Sequence, residues 1–125
     1  MANGLLRRHL TVQNKHMTTH PIDRLYEAIY SRIGGDPAQS YTAKLLSEGQ
    51  LQCAKKMGEE AIETVLAATG QDKAALTAES ADLLYHLLVL WAACGVTPED
   101  VYAALASREG QSGIAEKASR NKEQP

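Results

Sequence analysis

The sequence has no strong excess of charge of either sign, and this absence narrows its possible functions. Its 125 residues carry a formal net charge of −2, so no basic excess indicates nucleic acid as a partner. Hydrophobic residues make up 44% and charged residues 22% of the chain, as is typical of a soluble globular protein. This length suits one domain, or one subunit of an intertwined oligomer.

Cysteines are few and long apolar segments are absent. Cys53 and Cys94 have no CxxC spacing and lie in apolar surroundings, so we interpret both as reduced core residues of a cytoplasmic protein. No partner base is identifiable that would make either thiol nucleophilic. The longest apolar run, residues 83–94, contains His86 and is too short to cross a bilayer. We therefore expect no membrane partner.

The two ends of the chain differ from its middle. Residues 1–16 show no periodic pattern, and the arginines near the start are not followed by the apolar core of a signal peptide. We assign residues 1–20 to an extension, from an upstream start or an added segment, or to a disordered N-terminus. Residues 21–110 form the helical domain, and residues 111–125 form a polar C-terminal tail that could bind substrate.

The apolar pattern predicts helices throughout, and no segment shows the alternation of a strand, so we expect an all-α fold. The first helix begins at Pro21 and ends after Ile33, before Gly34-Gly35. One apolar stripe is predicted on it, formed by Ile22, Leu25, Ile29 and Ile33. The remaining helices are predicted at residues 41–48, 51–68, 73–94 and 98–108, and part of the tail around residues 114–120 could be helical.

The two long helices predict an antiparallel hairpin, because only the short polar loop 69–72 separates them. Each helix is about 30 Å long at about 1.5 Å per residue. The first of them has an apolar side formed by Leu51, Ala54, Met57 or Gly58, Ala61 and Val65. One hairpin cannot cover a segment as apolar as residues 83–94. We therefore expect helical hairpins to pair between subunits into a four-helix-bundle core, in a homodimer or higher homo-oligomer.

Five carboxylates lie in two clusters on this hairpin. Glu59, Glu60 and Glu63 are on its first helix, and Glu79 and Asp82 are on its second. Residues three or four apart share a helix face, where like charges repel one another. A divalent metal ion between the clusters is the simplest way to offset this repulsion. The alternative is that these acids belong to solvated helix faces.

Two further polar residues allow more than one interpretation. His86 lies one helical turn beyond Asp82, so it is either a metal ligand or a core histidine with satisfied hydrogen bonds. Ser40 either hydrogen-bonds a substrate or caps the helix that follows it.

Several segments resemble a known group of enzymes. GEEAIE and, after 15 intervening residues, ESADLLYH resemble the EExxE…ExxD signature of the MazG-like all-α nucleoside-triphosphate pyrophosphohydrolases. Together with SYTAKLL, KKMGEEAIE and the ending GIAEKASR, they resemble one member family more closely, the phosphoribosyl-ATP pyrophosphohydrolases. This resemblance extends from about Asp23 to Arg120.

The resemblance implies hydrolysis of phosphoribosyl-ATP to phosphoribosyl-AMP and pyrophosphate, the second step of histidine biosynthesis, by a metal-activated water. The cofactor is then Mg²⁺, with Mn²⁺ as a possible substitute. The matching motif positions assign metal binding to Glu60, Glu63, Glu79 and Asp82. Glu59 either holds a second metal ion or acts as the base that orients the attacking water.

The anionic substrate implies cationic and polar contacts beyond the metal. By resemblance, the candidate phosphate contacts are Lys56, Lys117 and Arg120, while Tyr41 and Thr42 could hydrogen-bond the substrate. The alternative is that these cations are solvated or favour a helix dipole. Two other functions remain open at this point. One is a housecleaning pyrophosphohydrolase for noncanonical nucleoside triphosphates, and the other is a non-catalytic helical interaction module.

Overall fold

The computed structural model describes residues 20–110, 113, 117–118 and 120–121. Within these residues every regular element is helical, which confirms the predicted all-α fold. The elements are α1 (Pro21–Tyr30), α2 (Tyr41–Ser47), α3 (Gln50–Thr69), α4 (Lys73–Cys94) and α5 (Pro98–Ala106). Residues 1–19 of the predicted extension and most of the predicted tail lie outside the described residues.

Helices α3 and α4 form the predicted antiparallel hairpin and contact each other along their length. Asp72 caps the start of α4, and its side chain accepts a hydrogen bond from the Ala75 amide at 3.1 Å. Gly95 ends α4 in a left-handed conformation with φ of 74°, which glycine adopts without steric cost. The hairpin brings the two predicted acidic clusters onto neighbouring helices.

Side-chain caps set the starts of the shorter helices. Ser40 accepts a hydrogen bond from the Ala43 amide at 3.1 Å, so its interpretation as the cap of α2 is confirmed. At α5, Thr97 accepts from the Asp100 amide, and Asp100 accepts from the Thr97 amide. This reciprocal capping box satisfies two amides that would otherwise lack helical partners.

The core lies where α1 and α2 pack against the hairpin. Its buried side chains are Tyr26, Ile29, Leu45, Cys53, Leu88, Val89 and Ala92. The Tyr26 hydroxyl donates a hydrogen bond to the Val96 carbonyl at 2.8 Å, so its polar end is satisfied. Both cysteines are free, but Cys94 is exposed near the end of α4. The prediction of two core cysteines is therefore wrong for Cys94.

Helix α1 ends earlier than its apolar pattern predicts. It stops at Tyr30 rather than Ile33, because the chain tightens there into turns, with the Ile33 amide donating to the Tyr30 carbonyl at 3.2 Å. Ile33 and Leu25 are exposed, and Tyr26 is buried beside Ile29 instead. Of the predicted stripe, Ile29 is buried and Ile22 packs against the core, whereas Leu25 and Ile33 remain exposed in the single chain.

The apolar side predicted on α3 is only partly covered within this chain, because its middle positions are half-buried and its two ends are exposed. Leu51 is 89% exposed and Val65 is 59% exposed, and Ile62 and Leu66 beside Val65 are exposed as well. Cys53 is the buried α3 residue. The hairpin therefore presents uncovered apolar side chains along α3.

Among the described residues, no single helix is long and apolar enough to cross a bilayer. Helices α4 and α5 taken together meet both criteria, but they are bent by 109° at their junction.

Candidate metal centre

Three of the predicted ligands meet across the hairpin. Glu60 on α3 and Glu79 and Asp82 on α4 each offer an oxygen, and these oxygens lie within 4.8 Å of one another. The three-residue spacing of Glu79 and Asp82 places both on the face of α4 that meets α3. Glu60 and Glu79 are partly buried and Asp82 is exposed, so the group opens to solvent. We call these three residues the acid group.

The fourth predicted ligand, Glu63, is exposed on α3 and lies outside the acid group. Its charge nevertheless contributes to the electrostatics there. Burial raises the pKa of Glu79, and the nearby charges of Asp82, Glu60 and Glu63 raise it further. A raised carboxyl pKa shows that a further negative charge is unfavourable here.

The chemistry of the acid group fits a hard divalent cation. Its donors are carboxylate oxygens, the ligands that Mg²⁺, Mn²⁺ and Ca²⁺ prefer in proteins. A cation at this position would offset the repulsion that raises the pKa of Glu79. The arrangement could therefore hold a metal ion.

Thr64 ties the two helices together at the level of the acid group. Its hydroxyl lies 2.8 Å from the Glu60 carbonyl and 3.3 Å from the Glu79 carbonyl. A serine or threonine hydroxyl often bonds to the carbonyl one turn earlier in a helix, so the first contact was predictable from the spacing. The contact across to Glu79 was not, because it depends on how the helices pack.

Lys56 and Glu59 pair with each other on α3. The Lys56 ammonium lies 3.4 Å from Glu59 Oε2, and both side chains are open to solvent. A hydrogen bond with Glu59 raises the pKa of Lys56, and electrostatic interactions with Glu59 and Tyr41 raise it further. The predicted base and the predicted phosphate contact are thus direct neighbours beside the acid group.

The start of α2 lies against the same part of the hairpin. Thr42 hydrogen-bonds the Tyr85 hydroxyl, so this predicted substrate contact already has a partner within the chain. Tyr41 is 56% exposed, and its ring centroid is 6.5 Å from that of His86. Of the two residues, Tyr41 is the one with a side chain largely open to solvent.

His86 is buried and faces the acid group from within the protein. Its Nε2 atom lies 4.0 Å from Glu60 Oε1, and it is not among the residues gathered into the acid group. Its Nδ1 atom is buried, and none of the residues that the structure describes hydrogen-bonds it. Within the described residues His86 is therefore not a core histidine with all its hydrogen bonds satisfied, and its interpretation as a metal ligand stays a prediction.

The predicted tail residues Lys117 and Arg120 are helical and exposed.

A separate cavity of about 390 Å³ is lined by Tyr26, Glu27, Tyr30, Ser31 and Thr97. None of these lining residues belongs to the acid group, so the cavity is distinct from it.

Comparison with known proteins gives one consistent answer. The profile of the phosphoribosyl-ATP pyrophosphohydrolase family matches residues 22–109. A phosphoribosyl-ATP pyrophosphatase from Azospirillum brasilense is 58% identical over 99 residues, covering 79% of this chain and 89% of that protein. Another from Parvibaculum lavamentivorans is 58% identical over 99 residues, covering 79% and 91%. A third, from Caulobacter vibrioides, is 60% identical over 102 residues, covering 82% and 94%.

The matched region contains the hairpin, its acid group and the start of α2. The family profile covers most of the chain, and the relatives are 58–60% identical to it. Both findings agree with the helical architecture described above. The chain belongs to the phosphoribosyl-ATP pyrophosphohydrolase family.

Proposed function

We propose that this protein hydrolyses phosphoribosyl-ATP to phosphoribosyl-AMP and pyrophosphate, the second step of histidine biosynthesis, as a cytoplasmic enzyme. The observation that carries the proposal is the acid group, formed on the matched hairpin by Glu60, Glu79 and Asp82. The housecleaning alternative is not favoured, because the relatives described above share the name phosphoribosyl-ATP pyrophosphatase.

We assign the acid group to Mg²⁺ binding, with Mn²⁺ as a possible substitute. Glu63 is the fourth proposed ligand, since its charge already reaches Glu79 and it lies one turn from Glu60 on α3. When bound, such an ion supplies positive charge to the leaving pyrophosphate and makes a bound water more acidic. The carboxylates hold and orient this charge on two helices joined through Thr64.

Glu59 is the proposed general base. Its carboxylate is exposed beside the acid group, so it can reach an attacking water and accept its proton. The ion pair with Lys56 limits its movement. The alternative role, holding a second metal ion, rests on the same position.

Lys56, Tyr41 and Thr42 are the proposed substrate contacts near the acid group. The Lys56 side chain remains 35% exposed, so its ammonium can bind a phosphate oxygen while it contacts Glu59. Its raised pKa further favours the charged form, which is the form that binds phosphate. Lys117 and Arg120 are proposed to bind phosphate from the tail, residues 111–125, while residues 21–110 form the catalytic domain.

We also propose that the active protein is a homodimer or a higher homo-oligomer. Leu51, Ile62, Val65 and Leu66 on α3 and Leu84 on α4 are exposed apolar side chains. Pairing of two hairpins would remove this surface from water and complete a four-helix core.

A substrate panel tests the proposed function directly. Purified protein with Mg²⁺ is assayed for pyrophosphate release from phosphoribosyl-ATP, ATP and a set of noncanonical nucleoside triphosphates. We expect phosphoribosyl-ATP to give much the highest kcat/KM. Preference for a common or damaged nucleoside triphosphate would favour the housecleaning function instead.

A further inference from the structure

His86 combines deep burial with an incomplete set of hydrogen bonds. The residue is 7% exposed, and no hydrogen-bond partner for its Nδ1 atom lies within the described part of the chain. Burying an unpartnered polar atom destabilises a fold, so an apolar side chain would serve packing better at this position. This unfavourable choice suggests that the imidazole has a role besides packing.

Two aromatic rings fix the orientation of the imidazole. The Tyr85 ring lies 5.0 Å from it at an interplanar angle of 76°, and the Tyr41 ring lies 6.5 Å away at 86°. Such edge-to-face contacts are favourable and restrict rotation of the ring. In this orientation Nε2 faces Glu60, the one α3 member of the acid group.

We propose that His86 is a positioning residue, whose Nε2–H donates a hydrogen bond to Glu60 Oε1 and so orients this carboxylate toward the bound cation. The inference rests on the proposed function, because it concerns the same metal site. The observed separation of 4.0 Å is about 1 Å longer than a usual N–H···O bond. A small rotation about the side-chain bonds of Glu60 closes that gap.

The two roles of Glu60 are compatible. A carboxylate has two oxygens with about four acceptor positions, so one hydrogen bond from His86 leaves the others for a cation. Partners that hydrogen-bond a metal-binding side chain fix its direction, and losing one typically costs about 10- to 100-fold in metal affinity or activity. We expect an effect of this size from removing the His86 contact.

Two amide substitutions form a matched test. In His86→Gln the amide nitrogen can reach about the position of Nε2, whereas in His86→Asn it reaches only about that of Nδ1. Both variants bury one primary amide, so they are similarly polar. The full chain is titrated with Mn²⁺ alone, and free Mn²⁺ is measured by electron paramagnetic resonance. The thermal midpoint in EDTA is recorded for each variant.

The expected result is that His86→Gln binds Mn²⁺ much as wild type does, while His86→Asn binds about 10- to 100-fold more weakly. Val89→Ala shortens a buried side chain on the same helix. It is the control for a loss of stability alone and should leave Mn²⁺ affinity unchanged. Wild-type affinity in His86→Asn would overturn the inference. So would equal losses in both amide variants, or a similar loss in Val89→Ala.

A measurement on the wild-type protein covers the case in which the variants do not fold. The ¹⁵N resonance of His86 Nε2 should shift when Mg²⁺ is added, and an unchanged resonance would overturn the inference. If wild type bound neither ion, the proposed metal site itself would be wrong, together with this inference. Binding without involvement of His86 would leave the proposed function intact.

Discussion

At the scale of single residues, spacing along a helix predicted which carboxylates share a face. Glu79 and Asp82 lie together with Glu60 across the hairpin, but Glu63 lies outside the acid group although it shares the spacing. Helix periodicity gives direction around the axis, whereas which oxygens meet depends on side-chain torsions and helix packing. For the same reason the Thr42 contact with Tyr85 could not be predicted.

The raised pKa of Glu79 predicts how stability depends on pH in the absence of metal. A folded-state pKa above the ordinary value of 4.5 means that the native state binds this proton more tightly than the unfolded state does. The stabilising contribution of protonated Glu79 is therefore fully present below pH 4.5 and is lost as pH rises through the raised pKa of the folded state. Glu79→Gln should remove this loss.

Thermal midpoints of wild type and Glu79→Gln in EDTA, from about pH 4 to about pH 7, check this prediction. The variant should become the more stable protein as pH rises, and added Mg²⁺ should stabilise wild type more than the variant. Parallel curves with no response to Mg²⁺ would contradict the assigned electrostatics.

The substrate role of Lys56 can be separated from general charge effects. Lys56→Ala should raise KM for phosphoribosyl-ATP, because losing a charge-assisted contact costs about 1.5–3 kcal/mol, roughly 10- to 100-fold. Lys55→Ala removes the same charge from the adjacent exposed position and serves as the control. Steady-state kinetics measure both, and equal KM values in the two variants would refute the specific contact.

At the scale of helices and loops, the sequence predicted which segments are helical better than it predicted the residues at which the helices end. The boundaries of α3 and α4 follow their glycines, Gly70 and Gly95, and α2 follows its Ser40 cap. The end of α1 was missed because no glycine or proline stands at Tyr30, and the helix simply tightens into turns there. Glycines, prolines and capping residues that end or begin a helix can be recognised in a sequence, whereas gradual changes in backbone hydrogen bonding cannot.

The capping box of α5 gives a prediction at this scale. Thr97→Ala removes the side chain that accepts from the Asp100 amide, and losing such a cap costs about 1 kcal/mol of unfolding free energy. Thr97→Ser keeps the hydroxyl and is the control. Denaturant unfolding of both variants checks the effect, and equal stability of Thr97→Ala and wild type would show that α5 does not depend on its cap.

At the scale of the whole molecule, a single chain leaves apolar side chains along α3 exposed to solvent. The sequence predicted an apolar side containing Leu51 and Val65, and both prove to be exposed in the single chain. A pattern of apolar residues indicates which side of a helix is buried, but it does not indicate whether that side packs against the same chain or against another subunit.

Pairing of hairpins predicts a concentration-dependent assembly. Light scattering should give at least twice the 13.5 kDa mass of the chain, and the unfolding midpoint should rise with protein concentration. Val65→Glu should shift the mass toward the monomer, while Lys44→Glu, at an exposed position on α2, should not. A stable monomeric wild type with a concentration-independent midpoint would refute the proposed oligomer.

The central claim is that the acid group supports metal-dependent hydrolysis of phosphoribosyl-ATP. Its most direct test is pyrophosphate release by wild type and Asp82→Asn, assayed side by side with Mg²⁺ and with EDTA, with circular dichroism to confirm that the variant is folded. Asp82→Asn removes one charge from an exposed position of the acid group with little change in volume. We predict Mg²⁺-dependent release by wild type, none in EDTA, and none by the folded variant. Near-normal release by Asp82→Asn, with EDTA harmless to wild type, would contradict the account.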